Sequence, residues 1–258
     1  MAKSIGLALK DSKDALELAE KVRGYLEKKG VDVVLEEYWA AELNARGLSL
    51  EDMDVDVLVA LGGDGTILRV LNYLPEGIPI LGVNLGTEGY LVKVKPGDWR
   101  NALEKVIAGD VKISEHVRID VVVGGKIVGS ALNEAVVSPS EPVKMLNFEV
   151  YVDDCLFFSS RADGIIVATP VGSTAYSLSA GGSIIDLRVP AFIVTPICPF
   201  DRVARPVVVP QSAVIKVRIV KTRREAIVVF DGEYKKEIDP AEEVTFRLSK
   251  KKALFVDV

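Results

Sequence analysis

Apolar runs and amphipathic stretches alternate along the first part of the chain. SIGLALK reads as a strand, and the spacing of Leu16, Val22 and Leu26 predicts an amphipathic helix that ends at Gly30. VDVVLEE is a second strand, a helical stretch follows over 38–46, and VDVLVAL at 55–61 is a buried strand. A helix from Thr66 to Leu74, a further buried strand (IPILGV) and a helix over 98–109 complete the series. Such βα alternation predicts an α/β domain with a Rossmann-like, doubly wound parallel sheet, in which ligands bind at the carboxyl ends of the strands. From about residue 112 the period changes. VRIDVVVGGKIVGSALNEAVV, MLNFEVYVDDCLFFSSR and AVIKVRIVKTRREAIVVFDGEYKKEI are β-rich, punctuated by hairpin signals at Gly124-Gly125, Asp153-Asp154 and Asp231-Gly232. The expected organisation is an α/β domain over 1–111 and an all-β, mainly antiparallel domain over 112–258, with no linker-like segment between them.

Composition narrows the function classes. Of 258 residues 49% are hydrophobic, and the formal net charge is -5. That balance lacks the concentrated basic face used on nucleic acids and membrane surfaces. No apolar stretch approaches the ~18–20 residues of a bilayer span, and MAKSIGLALK is too short for a signal-peptide core. A cytoplasmic protein with neither nucleic-acid nor membrane partners is expected. Cys155 and Cys198 have no metal-site spacing and read as buried reduced thiols. The lone histidine, His116, at the start of a strand beside Glu115, reads as structural and makes a His-based triad or multi-His metal site a poor fit. A single glutamine, Gln211, beside abundant Lys, Arg and Glu fits a source in a hot environment.

The chemistry concentrates in three places. Gly62-Gly63-Asp64-Gly65-Thr66 joins a buried strand to a helix. Glycines there expose backbone N–H groups to an anion such as phosphate, and the helix adds its positive end. Asp is an acceptable helix N-cap, but that does not account for the three glycines around it. A carboxylate among phosphate-binding amides either binds Mg²⁺ or accepts a proton from an attacking hydroxyl. The segment SRADGIIVATPVGSTAYSLSAGG (160–182) is dense in small and hydroxyl residues around Asp163, Thr174, Tyr176 and Ser179, which suits close wrapping around a nucleotide. In SALNEAVVS, Asn133 and Glu134 interrupt an apolar strand with groups able to read a base and a ribose, though a bulge or strand end would also explain them. KTRR at 221–224 reads as a hydrophilic hairpin.

GGDGT alone is shared by a kinase superfamily that includes diacylglycerol kinases, sphingosine kinases and 6-phosphofructokinases. Combined with LNEAVV, DGIIVATPVGSTAYSLSAGG and TPICP, in matching order from about Val55 to Pro210, it resembles the ATP-NAD kinases, with an archaeal or thermophilic member as the expected kind. The resemblance implies transfer of the γ-phosphoryl of ATP, or of inorganic polyphosphate, to the 2′-hydroxyl of the adenosine ribose of NAD, giving NADP. It further implies that Asp64 is the base or electrostatic partner beside that hydroxyl. Gly62, Gly63, Gly65 and Thr66 then hold the donor phosphates, with Mg²⁺ neutralising them. Asn133 and Glu134 contact adenine and ribose, Thr174 and Tyr176 the adenosine end, and Asp163, Ala175 and Ser179 the nicotinamide side. Asp64 and Gly65 border the same dinucleotide, and Tyr90 takes the place of an aromatic stacked on adenine. A homodimer or homotetramer is implied, since family sites draw on two subunits.

Several family positions differ. TPTGST reads TPVGST with Val171, PHTL reads PFDRV with Phe200 in place of His, SAGGP ends in Ser183, and Thr87 stands where a basic residue or His is frequent. Arg202 or Arg205 is a candidate to restore charge near the donor phosphates. The chain also stops at FVDV without the helix many members carry there. Two other readings stay open: a superfamily kinase acting on a lipid, sugar or polyol, and an NAD(P)-binding sensor without catalysis.

Overall fold

The computed structural model describes residues 2–86, 89–200, 204–220, 225–239 and 242–258. The chain divides into two compact units, Met1–Glu115 with Lys252–Val258, and His116–Lys251.

The first unit runs β1 (Ser4–Leu9), α1 (Lys13–Lys28), β2 (Asp32–Glu36), α2 (Glu37–Ala40), β3 (Gly47–Leu48), β4 (Val57–Gly62), α3 (Asp64–Tyr73), β5 (Ile80–Asn84) and α4 (Trp99–Ala108). Its sheet has the order β5-β4-β1-β2-β3, every pair parallel. Helix α1 starts where the Ser12 hydroxyl accepts the Ala15 N–H, a side-chain N-cap. Its buried stripe, Ala15, Leu18, Ala19, Val22 and Leu26, follows the 3.6-residue period. Trp99, Leu103 and Val106 of α4 pack into the same core. The helix expected over 38–46 is much shorter: α2 stops at Ala40 and gives way to turns, with Asn44 at a left-handed φ of 46°. A left-handed residue ends α-helical propagation.

The second unit continues with β6 (Lys112–Val123), β7 (Lys126–Ala131), β8 (Glu134–Pro139), β9 (Leu146–Val152), β10 (Cys155–Ala162), β11 (Gly164–Ala168), the short helix α5 (Tyr176–Ser179), β12 (Ala191–Ile197), β13 (Val207–Pro210), β14 (Ile215–Val220), β15 (Ala226–Phe230), β16 (Tyr234–Ile238) and β17 (Glu243–Asp257). One antiparallel sheet has the order β13-β12-β11-β8-β15-β16. The strands β10-β9-β14-β17 form a second antiparallel array. Alternate residues of both, among them Phe148, Phe192, Phe230 and Phe246, meet in one fully buried cluster, as the two-residue period of a strand requires. Strand β11 is buried on both faces because 169–185 covers the side away from that cluster, where Ile166, Ala168, Ile185 and Ile193 pack together.

The last residues of β17 belong with the first unit. Phe255 pairs in parallel with Ile80, and Val256 lies in that unit's core. His116, expected at the start of a strand, stands inside β6, which begins four residues earlier at Lys112. Among the described residues, no helix is long and apolar enough to cross a membrane.

Truncating a fully buried aromatic of the second unit, Phe148→Ala, removes transfer free energy and leaves a cavity. It should cost about 3–5 kcal/mol, read from urea unfolding. A loss below roughly 1 kcal/mol would contradict the packing described.

Candidate active site

In the first unit, β4 delivers Gly62 and α3 starts at Asp64, two residues earlier than the sequence pattern suggested. Gly63 is the N-cap, and its carbonyl accepts the N–H groups of Thr66 (3.0 Å) and Ile67 (3.3 Å). Asp64 is therefore in the first helical turn and is no N-cap. Nor is its carboxylate bare. Oδ2 accepts the Tyr90 N–H at 2.8 Å, and Oδ1 accepts those of Leu91 at 3.1 Å and Val92 at 3.2 Å. A Cβ on Gly89 would collide with this carboxylate, so the chain closes over Asp64 only where a side chain is missing. Each carboxylate oxygen can accept two hydrogen bonds, which leaves Oδ2 with one acceptor position.

The three glycines have different causes. A Cβ on Gly62 would strike the Thr66 side chain, so that glycine serves strand-to-helix packing and buries Thr66. Gly63 and Gly65 have open space where a Cβ would stand, and neither has a positive φ. Neither packing nor conformation demands glycine there, and the open backbone at the helix amino terminus gives room for close approach of a ligand. Arg69 fixes α3 by pairing with Glu36 of β2 and donating to the Leu9 carbonyl of β1 at 3.2 Å. Tyr90 leaves its ring half exposed.

In the second unit, Asn133 and Glu134 lie at the junction of β7 and β8 and do not interrupt one strand; the strand-end alternative holds. Every backbone polar group of Leu132, Asn133 and Glu134 is engaged. The Asp231 carboxylate takes all three N–H groups, at 2.8, 2.7 and 3.1 Å. Thr169 Oγ1 donates to the Leu132 carbonyl at 2.6 Å, the Thr169 N–H to that of Asn133 at 2.9 Å, and the Asp231 N–H to that of Glu134 at 3.0 Å. A Cβ on Gly172 would collide with the Asn133 backbone. No N–H of this segment is left for a ligand, so any hydrogen bond it donates has to come from a side chain.

Glu134 is 7% exposed, its Oε2 has no hydrogen-bond partner, and the Tyr176 N–H faces its carboxylate. Burial, then the charge of Asp231, push its pKa up to about 7, against the pull of that N–H. A buried carboxylate oxygen without a donor fits a ligand hydroxyl.

The hydroxyl-rich segment sorts into two sets. Thr169, Ser173 and Ser177 are buried and spent inside the fold: Ser173 Oγ bridges the Pro170 carbonyl and the Ile185 N–H, and Ser177 pairs with Thr195 at 2.9 Å. Thr174 and Ala175 are partly exposed, Tyr176 and Ser179 exposed, and Asp163 is exposed between β10 and β11. Val171 is buried, so its methyls fill core space. Phe200 is exposed beneath the Arg161 guanidinium, 5.1 Å from its ring. Arg205 is exposed, whereas Arg202, Thr87 and Lys221–Arg224 lie outside the described residues. Both cysteines are exposed, against expectation, because each stands at a strand end: Cys155 opens β10 after the turn at Asp153-Asp154, and Cys198, at a left-handed φ of 44°, lies just past β12. Sequence reasoning missed Gly89, Thr169 and Asp231. Asp231-Gly232 did carry a signal, read only as a hairpin turn.

Open glycines at a helix amino terminus beside a clamped carboxylate are the equipment of a phosphotransferase that acts on a hydroxyl. The ATP-NAD kinase N-terminal domain matches residues 5–111, and the ATP-NAD kinase C-terminal domain matches 132–258. The chain is 44% identical to the NAD kinase of Methanothermobacter thermautotrophicus over 95% of its length and 88% of the relative's. It is 40% identical to that of Thermococcus kodakarensis, over 97% and 92%. An NAD kinase from Archaeoglobus fulgidus solved in complex with ATP superposes with a TM-score of 0.80 at 31% identity, covering 98% of this chain and 92% of that one. Yeast NADH kinase complexed with NADH gives 0.91 at 25% identity, covering 99% and 83%. The chain belongs to the ATP-NAD kinase family and is an NAD kinase.

Two outcomes follow. Between the ordinary glutamate pKa and about 7, folded Glu134 keeps a proton that the unfolded chain has lost, so its contribution to stability falls as pH rises through that window. Glu134→Gln should therefore gain stability over the wild type from pH 5 to pH 8, by on the order of 3 kcal/mol in chemical unfolding; a pH-independent difference would contradict the assignment. Gly65→Ala should raise stability by about 0.5–1 kcal/mol through helix propensity while raising the KM for ATP. An unchanged KM would show that the open glycine faces no donor phosphate.

Proposed function

We propose that this ATP-dependent enzyme transfers the γ-phosphoryl group to the 2′-hydroxyl of the adenosine ribose of NAD, with Asp64 as the proton acceptor. The ribose oxygen bonds to γ-phosphorus, the bond from γ-phosphorus to the β–γ bridging oxygen breaks, and ADP leaves with that electron pair. The hydroxyl proton passes to Asp64 Oδ2. The clamp by residues 90–92 carries this reading, because it fixes the carboxylate yet leaves Oδ2 one acceptor position. Pre-orientation of this kind is the main contribution a protein makes to phosphoryl transfer.

In this reading the N–H groups of Gly63 and Gly65 hold donor phosphates, and Gly62 and Thr66 shape the turn that presents them within the α/β domain over 1–111. Residues 112–258 supply the dinucleotide contacts: Asn133 and Glu134 at adenine and ribose, Thr174 and Tyr176 at the adenosine end, Asp163, Ala175 and Ser179 at the nicotinamide side. Tyr90 stacks on adenine, and Arg205 adds charge near the donor. Among the described residues no three His, Cys, Asp or Glu side chains are grouped to hold a metal ion. Mg²⁺ bound by the donor's phosphates would neutralise their charge. A site built from backbone amides reads phosphate more than base, so inorganic polyphosphate is an eligible donor. A cytoplasmic homodimer or homotetramer completes the proposal.

With NAD, Mg²⁺ and ATP, Asp64→Asn should lower NADP formation by about 10²–10⁴-fold while NAD still binds. Retention of more than a tenth of the rate would remove Asp64 from the chemistry.

A further inference from the structure

Asp231 follows the hairpin strand β15 and has the local signature of a turn: a left-handed φ of 49° followed by Gly232 at 72°. A turn aspartate ordinarily faces water. This one is 5% exposed, and its carboxylate receives three consecutive backbone N–H groups, two on Oδ1 and one on Oδ2. Asparagine has one acceptor oxygen, not two, and would turn its NH₂ toward an N–H. Burial raises the Asp231 pKa. The three amides and Arg118 pull it back. Arg118 is itself buried, donating to the Ser130 carbonyl at 2.8 Å.

A fold seeking only stability would not set a second buried carboxylate beside Glu134, since like charges taken out of water are costly. The arrangement is explained if the backbone between them has to be held without using the side chains it presents. With three N–H groups on Asp231 and three carbonyls on Thr169 and Asp231, the backbone is held without drawing on the Asn133 side chain or on Glu134 Oε2, which stay available to a ligand. We propose that Asp231 is the positioning residue of the Asn133–Glu134 pair, holding the two side chains in the geometry that binds NAD. This rests on the reading of that pair as NAD contacts.

The first test is hydrogen exchange on the wild-type protein without ligand. The amides of Leu132, Asn133 and Glu134 should be protected as well as those of β8; exchange at the rate of an exposed loop overturns the proposal. The second is Asp231→Asn, compared with a core variant of similar stability loss such as Ile238→Ala. Asp231→Asn should weaken NAD binding, measured by calorimetry, and raise the KM for NAD at least tenfold, with the KM for ATP within twofold. Ile238→Ala should leave both constants unchanged. Unaltered NAD affinity in Asp231→Asn, or an equal loss in Ile238→Ala, overturns the positioning role. If the amides are protected but NAD affinity survives Glu134→Ala and Asn133→Ala, the reading of the pair as NAD contacts fails, and with it the proposal for Asp231.

Discussion

Among the described residues, a carboxylate held by three consecutive backbone N–H groups occurs once in each unit, and both candidate half-sites depend on it. Asp64 takes the amides of residues 90–92, Asp231 those of 132–134, each with one on Oδ2 and two on Oδ1. Backbone amides are strong donors that have to be satisfied wherever water is excluded. A carboxylate that collects three of them fixes a loop more firmly than any neutral side chain could. The two clamps differ in burial. Asp231 is sealed and can only hold its loop, whereas Asp64 is half-buried beside two glycines whose Cβ positions are open. The same interaction is sealed inside the fold in one place and leaves a carboxylate oxygen open to a ligand in the other.

Around these clamps, glycine records where backbone comes close to something. Gly89 lies against the Asp64 carboxylate, Gly172 against the Asn133 backbone, and Gly182 against Ser177 and Thr195. All three are packing glycines, and a methyl group at any of them would displace a neighbour. Gly63 and Gly65 differ from these three, since a Cβ at either would meet nothing. Gly24 and Gly97 are equally open, so it is the place of Gly63 and Gly65, at a helix amino terminus on either side of Asp64, that points to a ligand.

Much of this was legible in the sequence. The βα alternation before residue 110 and the two-residue period after it gave the fold class, and the family model and structural comparisons agree with it. The helical pattern around 38–46 misled because a left-handed turn at Asn44 outweighs local spacing. The exposed cysteines were misread because their type is usually buried, while strand ends reverse that preference. Of the hydroxyls in 160–182, the pattern could not separate the buried Thr169, Ser173 and Ser177 from the outward-facing Thr174 and Ser179. That distinction depends on which carbonyls and amides the fold leaves in need of partners.

Asp231 was invisible for a related reason. Asp-Gly is the strongest short hairpin signal, and the local chemistry of the turn fully accounts for both residues. Its second role comes from residues 97–99 positions away in the chain, a contact no local pattern encodes. The energetic cost makes that role informative. Two buried carboxylates, Glu134 with an oxygen lacking any donor and Asp231 beside it, weaken the resting fold. Proteins retain such arrangements where a ligand supplies the missing partner, trading stability for a site already in its binding geometry. A ligand hydroxyl donated to Glu134 Oε2 would relieve that cost, so under the proposed function the affinity for the ribose and the cost of burying Glu134 have one physical origin.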